Sequence, residues 1–349
     1  MEQGNSIDNG AAKGTGFKRY ATKRMIVVVL LAVTGIWIVG LVLSFSKPAD
    51  LAPPRAEHVG APEPAGEAPE PAGHAQPSAH SKPEITPVTP FTPALSENDF
   101  VGIAFVQAVI APMRHELDER FWGWRPNDIL DFTDNINNFQ LGVIETTRRT
   151  VERLTENISR TGSTAAFDKN LENARSSCFM VEAVRYWFPS PERKYEDGLE
   201  ELETYMEKLR KGEAAFYTRA DNLIPLLAEF EHLLGSCDDN LVKATEKNGS
   251  EVSFFRADDY LYYSKGVAST MATILEAVEK DFNATLERRN CLSDLHHAIE
   301  SCHHAGHVDP VIVLNSGLNS IFANHRANMA AHISHARFYL SVLIKTLST

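Results

Sequence analysis

Residues 25–45 read MIVVVLLAVTGIWIVGLVLSF, a run without a single charge. At a helical rise of about 1.5 Å per residue it spans roughly 30 Å, the thickness of a bilayer's hydrocarbon core. The run predicts a transmembrane helix. Before it stand Lys13, Lys18, Arg19, Lys23 and Arg24, against Glu2 and Asp8; after it, Lys47 is the nearby cation. Basic flanks stay on the cytoplasmic side, so residues 1–24 are expected to form a cytoplasmic tail, with the bulk of the chain outside. A cleaved signal peptide is the competing reading. The run is long for one, Ser44-Phe45-Ser46 is a poor small-x-small cleavage site, and no cysteine follows for lipid attachment.

Outward from this span comes a linker, residues 46–97. Twelve of the chain's 18 prolines lie between Pro48 and Pro93. The sequence APEPAG occurs at 61–66 and again at 68–73. Large apolar residues are nearly absent, so this segment has nothing with which to build a core and is expected to be disordered. Extended at about 3.1 Å per residue it reaches on the order of 150 Å, and as a loose coil about 40 Å. His58, His74 and His80 read as solvated spacer residues.

Residues 98–349 carry the core. Apolar residues recur there every three or four positions, and no stretch alternates with period two, which predicts an all-α domain. The candidate helices run over 99–120, 128–159, 164–187, 195–211, 219–234, 259–305 and 310–347. Pro112 is expected to kink or divide the first. Thr161-Gly162 is expected to end the second, and Pro189 and Pro191 the third. Gly235 is expected to end the fifth, a break near Gly266 is expected in the long sixth, and Asp309-Pro310 reads as the start of the last. Long helices with short connections predict an antiparallel bundle, either one or two.

Charge excludes one class of partner. From residue 98 on there are 26 Lys and Arg against 37 Asp and Glu, a net of −11. Such a surface repels phosphate backbones, so nucleic acid is not an expected partner. The four cysteines are Cys178, Cys237, Cys291 and Cys302. On one helix, Cys291 and Cys302 would stand about 16 Å apart, beyond disulfide reach. Free buried cysteines and the remaining pairings both stay open.

One stretch invites a chemical reading: CLSDLHHAIESCHHAGH, residues 291–307. On a helix His296, Glu300 and His303 fall on one stripe, and two imidazoles with a carboxylate can ligate a transition metal. Glu300-x-x-His303 has the spacing used in di-iron bundles, and Glu229-x-x-His232 repeats it elsewhere; Glu145 and Glu152 are available as further carboxylates. Ten histidines and 22 glutamates from residue 98 on yield about one such pair by chance, so the motif has little specificity. His325 and His332 share a face with Leu318, Met329 and Ala336 and read as core histidines.

The signatures of phosphate loops, zincins, nucleophile elbows and dithiol redox sites do not occur. No catalytic residue and no cofactor is predicted. Trp122-Gly123-Trp124 reads either as an exposed recognition patch or as aromatics plugging the end of the core at a helix–helix corner, and the second is preferred.

The run Gly123-Trp124-Arg125-Pro126-Asn127-Asp128, followed by Asp134-Asn135 and Gln140-Leu141-Gly142-Val143, resembles a family of uncharacterised bacterial inner-membrane proteins. That resemblance implies an N-terminal anchor, a linker and a helical domain of unknown function. It also implies an inner-membrane location with the domain in the periplasm, and it supplies no activity and no site. The expected function is a membrane-anchored scaffold or interaction module of the cell envelope, with another envelope protein as partner. The alternatives are a metal-binding, di-iron-like periplasmic enzyme and a sensory ectodomain. The latter is disfavoured because the 24 residues before the span are too few for a signalling domain.

Overall fold

A computed structural model describes residues 100–128, 134–162, 164–185, 189–310, 312–316 and 320–349. The apolar run 25–45, its basic flank and the linker lie outside the described residues. No helix among the described residues is long and apolar enough to cross a membrane.

The described residues form nine α-helices and no strand, with only isolated bridges at Thr245–Glu251 and Asn315–Asn324. The helices are α1 (Ile103–Arg114), α2 (Asp134–Arg153), α3 (Lys169–Asn173), α4 (Pro191–Lys211), α5 (Ala220–Val242), α6 (Phe254–Asp281), α7 (Asn283–Arg288), α8 (Leu292–Gly306) and α9 (His325–Ser348). The first three each finish in a widened π turn, at His115–Glu119, Leu154–Ile158 and Ala174–Cys178.

α6 is the central helix. Its buried positions, among them Leu261, Val267, Met271, Ile274, Leu275 and Val278, go nearly all the way round it. A helix apolar on all sides needs neighbours on all sides. α1, α2, α5, α8 and α9 all pack against it. α9 also lies against α5 and α8, and α4 covers α1 and α3. One continuous apolar core joins these helices, so the described residues make one bundle.

The α2–α6 crossing depends on two glycines. A Cβ on Gly266 would meet the Phe139 carbonyl oxygen at 2.1 Å, and one on Gly142 would meet that of Tyr263 at 2.3 Å. Only the bare backbone permits this approach. Gly266 therefore does not break the helix; it brings two helices together.

Several other expectations change. α1 runs through Pro112 undivided to Arg114, and the turn that follows, His115–Glu119, is widened. The described residues of the stretch 164–187 hold only a short helix with its π turn. α4 begins earlier than its apolar pattern suggests, with Pro191 in the first turn and Ser190 capping Arg193 N. α5 passes through Gly235 to Val242. The long helix 259–305 is three helices, turned at Phe282 and at Asn290, whose φ is 52°. Among the described residues no helix starts at Asp309-Pro310. Asn324 caps the last helix, its Oδ1 accepting from Ala327 N at 2.9 Å. All four cysteines are free and buried. Burial pushes the Cys178 thiol up to about 11 and those of Cys237 and Cys302 to about 12.

Asp281, at the end of α6, caps α1. Its carboxylate accepts from Gly102 N at 3.0 Å and Phe105 N at 2.8 Å. These are orphan donors of a helix N-terminus, satisfied from another helix.

Candidate functional site

The corner between α1 and α2 is built around a buried carboxylate. Glu116, in the π turn that follows α1, is fully buried. Arg120 grips it from one turn later, with Nη2 donating to Oε1 at 2.7 Å and Nε to Oε2. A buried charge survives only when paired and hydrogen-bonded, and here it is both. Gln140, reaching in from α2, donates through Nε2 to Glu116 Oε2 at 3.0 Å and to the Gly123 carbonyl at 3.0 Å. Its Oε1 accepts from Arg125 N at 2.9 Å. One amide thus ties α2 to the π turn and to both ends of the Gly123–Arg125 segment.

The tryptophans of this segment separate. Trp124 is 4% exposed, donates through Nε1 to the Ala183 carbonyl at 3.1 Å, and meets Tyr195 edge-on at 5.1 Å. It plugs the core as expected. Trp122 is 73% exposed and stacks on Phe121, itself 75% exposed, at 5.2 Å and 19° between planes. The Trp-Gly-Trp run thus places one tryptophan in the core and the other on the surface. Trp122 has a φ of 71°, a region that bulky L residues avoid. The nearly buried Arg125 supports it: Nη2 donates to the Phe121 carbonyl at 2.7 Å, and the guanidinium lies 5.5 Å from the indole centroid.

The histidine stripe is dispersed. His296 Nε2 lies 2.8 Å from Glu279 Oε1, and His303 Nε2 2.7 Å from Glu276 Oε1, both on α6. Glu300 turns away from both, toward His304 at 3.6 Å and His297 at 3.9 Å. Glu229 on α5 is held between Arg149 and Arg153, and Glu145 bonds the same Arg149 at 2.7 Å. Glu152 lies 3.8 Å from Arg153. His232 is exposed on α5. Carboxylates already matched to guanidinium groups offer a cation little. Among the described residues, no three His, Cys, Asp or Glu stand together as a metal site. His325 is half-buried, not core, and its Nδ1 accepts from Leu314 N at 2.9 Å. His332 is half-buried and stacks on His304 at 5.4 Å instead. Leu318 lies outside the described residues.

Residues 91–253 and 244–348 match a family described as an uncharacterised protein conserved in bacteria, DUF2333. The chain belongs to this family. The DUF2333 match starts at residue 91 and does not reach residues 25–45. No curated protein and no solved structure matches the chain. The resemblance in the sequence rests on residues the fold uses: Gln140 joins Gly123 to Arg125, and Gly142 makes the approach to α6. Sequence reasoning missed Glu116 and Arg120. Their i, i+4 spacing in a charged turn resembles any exposed pair, and nothing local marks Glu116 as buried.

Proposed function

We propose that the chain is an interaction or scaffold module of the bacterial cell envelope. In this reading residues 25–45 hold it in the inner membrane and the helical domain stands in the periplasm. The location rests on the uncharged run and the basic residues before it. The interaction reading rests on one observation, the exposed Trp122 ring on a strained backbone. Stability alone gives no reason for that arrangement. Glycine would adopt the same φ without strain, and an indole left in water buries little. A stacked aromatic pair on a rigid corner suits an anchor that fills a pocket on a protein partner, since binding energy concentrates in such residues. The partner is another envelope protein.

The test is photo-crosslinking in cells from the full chain, with the indole kept and the reactive residue at Phe121 or at Phe338, an exposed aromatic on α9. A discrete product from position 121 and none from 338 is expected. No product at 121, or the same products at both, would overturn the interaction reading. For location, a reporter active only outside the cytoplasm, fused after Thr349, should be active in the membrane fraction. A shortened soluble chain would sink the anchor.

A further inference from the structure

α8 is held on two sides by different chemistry. Toward α6 it makes two histidine–carboxylate contacts, His296 to Glu279 and His303 to Glu276. Toward α9 it stacks rings: His304 lies on His332 at 5.4 Å and 29°, and His297 on Tyr339 at 4.8 Å and 27°. His335 stands edge-on to the same Tyr339 at 6.5 Å. We propose that α8 is a pH-responsive element, whose seam with α9 loosens on acidification while its contacts with α6 hold.

The sign follows from the groups on each side. On the α6 side each ring faces a carboxylate, so no like charges meet there. Two protonated rings stacked on each other repel, so acid weakens the α9 side. The counter-charges around the stack are few. On α8, Glu300 is the nearby carboxylate, shared between His304 and His297. On α6, Glu276 and Glu279 are taken by His303 and His296. On α5, Glu231 and Asp238 lie against Arg337, and Asp238 also accepts from Ser334. α7, next along the chain from α8, carries Glu287 and Arg288, of opposite sign. One shared carboxylate cannot balance His297, His304, His332 and His335.

Burial, and then the His304 and His335 rings, hold His332 below the usual histidine value. A histidine depressed in the fold takes up fewer protons there than when unfolded. Its contribution therefore falls as pH drops below the unfolded value of about 6.5, and returns as pH rises again.

The experiment is hydrogen exchange on the full chain at about pH 7.5 and about pH 5.5, with rates corrected for intrinsic pH dependence. Protection across residues 297–304 and 332–339 should fall about tenfold at the lower pH, while the core of α6 keeps its own. His304→Gln, at an exposed position that folding tolerates, should abolish the fall, as should His332→Gln. His296→Gln with His303→Gln should leave it in place. Equal protection at both pH values, a loss spread evenly over the bundle, or a fall that survives His304→Gln would overturn the proposal.

Discussion

Trp122 and Trp124 stand two residues apart and share one corner, yet they do opposite things. Trp124 is buried, bonded through its indole N–H and braced by Tyr195. Trp122 lies in water, on a backbone that favours glycine. The inner side, with Glu116, Arg120 and Gln140, satisfies its buried charges through several bonds each. The outer side spends that rigidity on holding an aromatic pair outward. A fold rarely keeps strain without use, and the inner network makes the strain of Trp122 tolerable.

The comparison can be broken at three points. The largest effect belongs to Trp124→Ala, which removes a fully packed indole and leaves the Ala183 carbonyl without its donor. Chemical denaturation should show a loss of about 3–5 kcal/mol. A loss under about 1 kcal/mol would mean that the inner tryptophan is no plug. Next is Glu116→Ala. It leaves Arg120 and Gln140 facing a void, and breaking a buried pair from one side should cost about 3 kcal/mol. Trp122 fluorescence should also become more mobile, because the π turn that supports it loses its anchor; unchanged anisotropy would separate the network from the display. The smallest effect belongs to Trp122 itself.

The sequence made the class of fold legible because helical periodicity is local. It made some ends legible too: Gly162 and Gly212 take φ of 68° and 69° where helices stop. What it hid was set by distant partners. Asp281 caps a helix whose first donor, Gly102 N, lies 179 positions away in the chain. Gly266 looks like a weak point in a helix, and only the opposing Phe139 carbonyl shows why it is there. Asp309-Pro310 carries the local chemistry of a helix start as well as Asn324 does, and tertiary packing chose between them. The partners of the histidine stripe were hidden for a related reason. At about 100° per residue, Glu300 lies between the stripe of His296 and His303 and that of His297 and His304. The α6 carboxylates claimed the first pair, which left Glu300 to the second. The motif corner was legible as a resemblance, while its chemistry depended on a glutamate in a turn that no pattern marked.

Trp122→Gly is the most direct measurement of the central claim that this side chain is kept for contact and not for stability. Glycine relieves the positive φ and loses only an exposed stack, with some cost from the freer unfolded chain. Denaturation of the full chain should show stability unchanged or raised by up to about 1 kcal/mol, while crosslinking from the neighbouring position 121 disappears. A loss of more than about 1 kcal/mol, or crosslinks that persist without the indole, would contradict the account.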